Sequence, residues 1–266
     1  MAPLRIVLLL ALLALVAACS ESTAPDDGNG DGNGGTGTTL PLTEEMEVEI
    51  VAMDIAENRG GMMADLNAQS ALVMGGFAAA GDGPAVLDTA IGYQWLRLDL
   101  SAEFFLANGS PVPIYIPGLV DSIAIAATLS GDTTITPAGQ SASWGIDLRR
   151  TSATGIGGTL GNTLRFHGGG QDNSTLTYGG ALTFSYARSS TYTMTSVTIP
   201  RGTGDRIPTG GTVSGVAGGV LTSGILQTTI AIPWAMTFTG DATVTVSIDD
   251  GRIVFTINLL TGEITR

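Results

Sequence analysis

The sequence holds few side chains that could carry out catalysis. Its one histidine, His167, follows Leu164-Arg165-Phe166 and precedes three glycines at 168–170. A catalytic base of this type needs a nucleophile beside it, but the chain has no Gly-x-Ser-x-Gly elbow and no cysteine after position 19. We therefore interpret His167 as a polar surface or turn residue, placed where a strand enters a glycine loop. The sequence predicts no catalytic residue and no enzymatic activity.

Two glutamates could in principle form a glycosidase pair, because such enzymes use two carboxylates. Glu103 and Glu263 are the only glutamates in the predicted β region, from Tyr93 onward. Glu103 falls on the polar face of a predicted strand, and Glu263 follows a Thr-Gly turn, so solvated positions explain both. The glycines between Gly155 and Gly161 miss the third position of the dinucleotide fingerprint and lack a βαβ unit. No cofactor is expected.

Methionines are concentrated near the N-terminal side of the body. Thioether sulfurs could bind a soft metal, but no cysteine or histidine accompanies them to complete a site. Flexible methionines also fill gaps where helices lie against a sheet, and we favour this interpretation. No metal site is predicted. The five residues are Met46, Met53, Met62, Met63 and Met74.

The only cysteine, Cys19, ends an apolar N-terminal segment. Arg5 is the one positive side chain before thirteen consecutive apolar residues, Ile6 to Ala18. This run is typical of a signal peptide and is shorter than the roughly 20 residues that a transmembrane helix needs. It closes in Val16-Ala17-Ala18-Cys19, a branched aliphatic residue and two small residues before the cysteine.

That ending resembles the lipobox of bacterial lipoproteins. The resemblance covers residues 1–19 and implies that the signal peptide, 1–18, is removed and that Cys19 is acylated on sulfur and on the new N-terminus. Two or more acyl chains, at about 0.8 kcal/mol per buried methylene, hold a protein stably in a membrane. Ser20 in place of aspartate implies sorting to the outer membrane. The alternative is an ordinary signal peptide whose cleavage leaves Cys19 as a free thiol.

Residues 19–40 form a predicted tether, in which a Gly/Asp/Thr-rich segment follows Cys19. The segment lacks large apolar residues and is expected to be disordered, with a typical end-to-end distance of roughly 25 Å. Asp27, Asn29 and Asp31 fit the start of a calcium loop, but position twelve is Thr38 instead of glutamate. We interpret this segment as a linker, and weak calcium association stays open.

Charge and cysteine content exclude some functions for the body. The formal net charge is −13, and all eleven basic residues are arginine. Such a surface lacks the basic stripe that phosphate binding requires, so nucleic acid is not an expected partner. With no cysteine after position 19, the body must be stabilised by a hydrophobic core instead of disulfides.

Residues 41–266 are predicted to form one β-rich domain that begins with a helical segment at about 44–75. Thr43 is a predicted N-cap for a helix over 44–57, and a second helix is expected over Met62–Met74. Period-two alternation from Tyr93 onward then favours an antiparallel β-sandwich or barrel-like sheet. Strands are predicted at 93–105, 122–129, 142–149, 163–167, 181–187, 191–199, 226–238 and 242–259.

The last predicted strand pair is a hairpin with a two-residue turn at Asp250-Gly251. This turn pairs Ile248 with Ile253 and Val246 with Phe255, and continues to Ala242 with Leu259, so that apolar residues meet on one face. Pro233 cannot donate a ladder hydrogen bond, so the strand that contains it, predicted at 226–238, is expected to lie at an edge or to carry a bulge.

These observations predict a membrane-anchored envelope lipoprotein whose body is a non-catalytic interaction or structural module. The membrane is an expected partner through the acyl chains on Cys19, and an envelope protein, glycan or lipid could be another. The alternative is a carrier of a lipid or other apolar ligand, bound in a curved sheet closed by the methionine-rich helices. Glycan binding by Tyr93 or Trp95 is a further possibility.

Overall fold

The computed structural model describes residues 42–57, 60–74, 97–135, 143–179, 184–201 and 207–265. Cys19, the predicted signal peptide and the tether lie outside these ranges, as do Tyr93 and Trp95. Neither helix in the described ranges is long and apolar enough to cross a bilayer.

Two helices open the described fold, α1 at Glu44–Ile55 and α2 at Met62–Met74. Both predicted helices are therefore confirmed. Thr43 caps α1, because its Oγ1 accepts a hydrogen bond from the Met46 amide, 3.4 Å away. Helix α1 buries residues on every side, which shows that the rest of the chain encloses it. Its buried residues are Met46, Val48, Ile50, Val51, Ala52, Asp54 and Ile55.

The predicted antiparallel β fold is confirmed as one sheet in which every strand pairing is antiparallel. Both helices are buried against this sheet. The sheet therefore curves around them, as in a barrel-like fold. Its strands are β1 Arg97–Leu106, β2 Pro111–Val112, β3 Val120–Ile135, β4 Ser143–Gly157, β5 Thr163–Asp172, β6 Thr175–Gly179, β7 Phe184–Arg188, β8 Ser190–Pro200, β9 Gly210–Ser223, β10 Leu226–Thr237, β11 Thr243–Ile248, β12 Ile253–Asn258 and β13 Ile264–Thr265.

The sheet is a meander in which two long strands are each interrupted near the middle. One is divided into β5 and β6, and the other into β7 and β8. β4 pairs with β5 along its second half and with β6 along its first half, while β9 pairs with both β8 and β7. The breaks lie side by side, and the Arg188 amide beside one donates to Ser174 O in the other (2.8 Å). Each break is also bonded to the strand on its outer side, through the Asn173 amide to Arg149 O (2.7 Å) and the Ser189 amide to Gly218 O (2.9 Å). Irregularities of this kind bend a strand, so a row of them bends the sheet.

The C-terminal hairpin has the predicted register. Ile248 pairs with Ile253 and Val246 with Phe255, and the Leu259 amide donates to Ala242 O. Asp250 and Gly251 have positive φ angles of 53° and 100°, as the tight two-residue turn requires.

The predicted end of a strand at His167 is wrong. β5 continues through Gly168–Gly170 to Asp172, and these glycines pair with both β4 and β8. Side chains are excluded at Gly170 because a Cβ there would lie 2.7 Å from the ring of Tyr192, which packs across it. Gly170 therefore makes room for an aromatic residue inside the sheet, while a Cβ at Gly168 or Gly169 would meet the backbone oxygen of Ala153 or Tyr192 in a neighbouring strand.

Pro233 lies neither on an edge strand nor at a bulge, so its interpretation from the sequence is wrong. β10 is an interior strand, paired with β9 along its whole length. Its pairing with β11 is limited to Trp234, Ala235 and Met236, so Pro233 lies just beyond the end of that ladder. The proline is accommodated at a local gap beside an interior strand, without the edge position expected from the sequence.

Candidate functional site

The polar residues that the sequence suggested for catalysis are exposed and lie on separate elements. His167 is on the outer face of β5, where its imidazole packs over Gly155 of β4. Glu103 is on β1, and Glu263 lies in the connection from β12 to β13. The two glutamates are solvated, as predicted, and His167 is a surface residue in a strand.

The methionines of the helices belong to the core. Met46, Met62 and Met63 are buried, and Met53 and Met74 pack against the buried cluster from partly exposed positions. Within the described ranges, no three His, Cys, Asp or Glu side chains lie close enough together to hold one metal ion.

Four charged side chains meet instead beneath helix α1, and we call them the charge cluster: Asp54, Arg150, Asp172 and Arg188. Each residue is at most 5% exposed. Arg188 bonds to Asp54 Oδ1 through Nη2, and the same nitrogen lies 3.1 Å from Asp172 Oδ2. Arg150 Nη2 lies 2.5 Å from that Asp172 oxygen. The two arginines thus share Asp172, and Arg188 links it to the helix.

The breaks in the strands bring these charges together. Arg150 shares the inward face of β4 with Leu148 and Ile156, and it pairs in the ladder with Asp172 at the end of β5. Arg188 ends β7, and its amide donates to Ser174 O in the adjacent break, 2.8 Å away. The Ser174 hydroxyl donates to Asp172 and fixes that carboxylate.

Burial and neighbouring charges act in opposite directions on the two carboxyl groups. Burial raises the pKa of Asp54, and the attraction of Arg188 only partly offsets this rise. Burial alone would also raise the pKa of Asp172, but Arg188 and Arg150 together hold that pKa below its usual value. For Arg188, both carboxylates outweigh burial and raise its pKa, so the guanidinium stays charged.

A second polar group attaches α2 to the sheet. The Tyr192 hydroxyl on β8 donates to Asp65 Oδ2 at 2.7 Å. Gln69 Nε2 donates to Asp65 Oδ1 and to Ser152 Oγ of β4, each at 3.0 Å. Burial and the Asp65 carboxylate raise the pKa of Tyr192 well above its usual value, which keeps the phenol protonated as a donor.

Both polar groups are suited to holding the helices in place. In the charge cluster, each ion faces an opposite charge in a position that is closed to solvent. Several of its atoms have no hydrogen-bond partner among the residues that the structure describes: Asp54 Oδ2, Arg188 Nε, Arg150 Nε and Arg150 Nη1. Such a cluster adds less to stability than apolar packing would, but losing one member is costly.

The opposite face of the sheet carries an open groove lined by hydroxyl groups, which we call the hydroxyl groove. It consists of two adjoining parts of about 380 and 710 Å³ that share Ser214, Ala235 and Ser247 on β9, β10 and β11. These three residues form the floor of the groove, and threonines flank it. Asp250 lies in the smaller part and Asp241 in the larger part. The flanking residues are Thr191, Thr193, Thr212, Thr237, Thr239, Thr243 and Thr245.

The charge cluster was missed by the sequence analysis. A signal for it exists, because alternation places Arg150 between Leu148 and Ser152 on the inward face, and Arg188 on the face of Phe184 and Tyr186. A charged residue within an apolar alternation indicates a buried partner. The partner itself could not be identified, because Asp54 is 134 positions from Arg188.

The structure defines a class of protein: an antiparallel meander whose inner face packs against two helices. The charge cluster and the Asp65–Tyr192 hydrogen bond hold these helices in place. Comparison of the chain with protein families, with curated proteins and with solved structures gives no match.

Proposed function

We propose that this chain is a bacterial envelope lipoprotein, anchored by acylated Cys19 and sorted to the outer membrane, whose body is a non-catalytic interaction or structural module. One observation carries the assignment of the body. Its own helices occupy the inner face of the sheet and are tied there by Asp54–Arg188 and Asp65–Tyr192. The outer face is then the sheet surface that a partner can reach.

The hydroxyl groove supplies the chemistry of that recognition. Its floor is small and uncharged at Ser214, Ala235 and Ser247, and its flanks present hydroxyl groups in rows along neighbouring strands. Hydroxyls both donate and accept, so they suit an uncharged polar partner such as a glycan or a polypeptide surface. The negative net charge and the acidic side chains of the groove disfavour anionic partners.

A lipid carrier is the less favoured function. A carried acyl chain would need space between the helices and the sheet, where Met62 and Met63 are fully buried. Native mass spectrometry of residues 41–266 tests this directly. A clean protein mass is expected, and stoichiometric lipid in the purified protein would replace the interaction module with a carrier.

The anchor is tested by growing cells with an alkyne-labelled fatty acid. The wild-type chain should incorporate the label and sediment with membranes, whereas Cys19→Ala should do neither. Incorporation that persists in Cys19→Ala, or a soluble wild-type chain, would remove the anchor from the proposal.

The interaction module is tested by placing a photo-crosslinking residue at Ala235, on the floor of the hydroxyl groove. Ser101, exposed on the outer face of β1, provides a matched control outside the groove. We expect a discrete adduct from Ala235 in intact cells and none from Ser101. Equal adducts at both positions would contradict recognition by the groove, and hydrolase activity lost on substitution of His167 or Glu103 would contradict a non-catalytic body.

A further inference from the structure

We propose that two copies of this chain pair side by side through strand β10. The site is a gap beside the first part of this strand, residues 226–233. β11 pairs with β10 only at Trp234, Ala235 and Met236, so among the described strands β9 is the one neighbour of β10 before that point. We call this opening the β10 gap. The inference depends on neither the lipid anchor nor the hydroxyl groove.

Backbone groups of β10 point into the β10 gap. The Phe238 amide donates to Gly211 O of β9 at 3.0 Å, so every second residue before Phe238 bonds to β9. The residues between them, Gln227, Thr229 and Ala231, direct their N–H and C=O groups to the other side. No residue that the structure describes bonds to the backbone of these three from that side. Unpaired strand backbone of this kind is a template for another strand.

The strand that fits the β10 gap is β10 of a second copy. Antiparallel pairing of two identical strands is symmetric, and centring it on Thr229 places Thr229 opposite itself and Gln227 opposite Ala231 of the other copy. Each of these pairs can exchange two backbone hydrogen bonds. Pro233 has no N–H to offer, so it ends the ladder at the same place in both copies. Both copies use the same surface, so the contact closes as a dimer.

This register also brings exposed apolar residues together. Ile225, in the turn between β9 and β10, is 100% exposed, and Val216, the ladder partner of Pro233, is 38% exposed. In the pair, the Ile225 turn of each copy lies beside Pro233 of the other, and Val216 adjoins that proline on the same face. The contact is repeated by symmetry. The pair therefore removes from water apolar surface that a single copy leaves exposed, which stabilises the dimer.

Charge does not oppose a contact between copies at this place. Residues 207–240, which contain β9 and β10, have no ionisable side chain, whereas the whole chain carries a net charge of −13. Two acidic chains repel each other at most other surfaces. Asp250 lies near Pro233, where it would face the uncharged Gly224-Ile225 turn of the other copy. Charged side chains usually protect an unpaired strand from association, and this part of β10 lacks them.

Disulfide crosslinking of the full chain in bacterial membranes tests this register. Hydrogen-bonded pairs have Cα atoms about 5.5 Å apart, within the range that a disulfide bridges. Thr229→Cys chains should therefore form a covalent dimer on mild oxidation. Gln227→Cys chains alone should not, because residue 227 lies about 13 Å along the strand from residue 227 of the other copy. Ala231→Cys chains alone should not either, but the two chains expressed together should crosslink to each other.

We expect about tenfold more dimer from Thr229→Cys, and from the co-expressed pair, than from Gln227→Cys or Ala231→Cys alone, since Cα atoms more than about 7 Å apart cannot be bridged. The wild-type chain is the control for Cys19. A wild-type dimer would show that this cysteine is not acylated, which contradicts the anchor alone, and the same variants are then compared in the Cys19→Ala chain.

A charge placed at the contact separates this pairing from random collision. Adding Ile225→Asp to the Thr229→Cys chain should strongly reduce the dimer, because the carboxylate would lie beside Pro233 and the acidic turn of the other copy. Leu119→Asp, at a 56% exposed residue in the connection before β3, should leave the dimer unchanged. No dimer from Thr229→Cys, equal dimer from every cysteine variant, or a disulfide to a different polypeptide would each overturn the second copy as the occupant.

Discussion

Replacing Arg188 with methionine removes the one cation that ties helix α1 to the charge cluster. The substitution keeps most of the side-chain volume but leaves Asp54 without its ion partner, in a position that is 5% exposed. Asp172 keeps the guanidinium of Arg150 at 2.5 Å. The damage is therefore concentrated on one buried carboxylate.

The size of the effect follows from that geometry. Removing one partner of a buried ion pair typically costs about 3–5 kcal/mol, because the other charge remains buried without compensation. Asp54→Asn should cost far less, because Arg188 still has Asp172 at 3.1 Å, the amide can still accept a hydrogen bond, and a neutral group avoids the cost of burying the carboxylate that raises its pKa. The cost of Arg188→Met is measurable against a total stability of about 5–15 kcal/mol.

Urea unfolding of residues 41–266, which contain every described element, measures these costs. The decisive chain is the double variant Asp54→Met/Arg188→Met, in which neither buried charge is left without its partner. It should be more stable than Arg188→Met alone, even though it carries one more substitution. A double variant no more stable than the single one would refute the assigned ion pair. So would a cost below about 1 kcal/mol for Arg188→Met, the range of exposed pairs.

Titration and glycine substitutions test other parts of the interior. The pKa of Asp54 is raised above its unfolded value near 3.9, so the folded chain holds that proton more tightly. Lowering the pH through the folded pKa should therefore add stability, and Asp54→Asn should remove this pH dependence. Asp172 acts oppositely, because its folded pKa is lowered. Its contribution is present above about pH 3.9 and is lost as the pH falls through its folded pKa, so Asp172→Asn should flatten the acid side of the urea midpoint plotted against pH. Gly170→Ala places a Cβ 2.7 Å from the ring of Tyr192 and should cost about 1–3 kcal/mol. Gly157→Ala, with no atom within 4 Å, should leave the midpoint nearly unchanged, and equal effects would contradict the inward packing.

The elements that the sequence predicts well are those whose signals are local. Thr43 and the acids after it define the start of α1 within one turn, and Gly60-Gly61 separates the two helices. The hairpin at Asp250-Gly251 needs only its turn and the alternation on either side to fix its register. In each case, all the residues that decide the structure lie within about twenty positions of one another.

The charge cluster and the glycines of β5 depend on contacts between distant parts of the chain. A Gly-Gly-Gly segment normally indicates a loop, because each residue pays a high entropy cost in a strand. Here Tyr192 packs over Gly170, and pairing on both sides offsets that cost. Only the structure shows that the tyrosine faces this glycine, since 22 positions separate them.

The buried polar ties explain how two helices without a clear polar face keep one position inside the sheet. Apolar contacts are not directional, so a helix buried on all sides could shift along the sheet at little cost. Asp54–Arg188 fixes α1 and Asp65–Tyr192 fixes α2, each at one level of the sheet. If the ties set position in this way, Asp54→Met/Arg188→Met should stay folded while the amides of α1 exchange with solvent faster than those of α2. Unchanged exchange in α1 would show that apolar packing alone positions the helix, and the buried charges would then need another explanation.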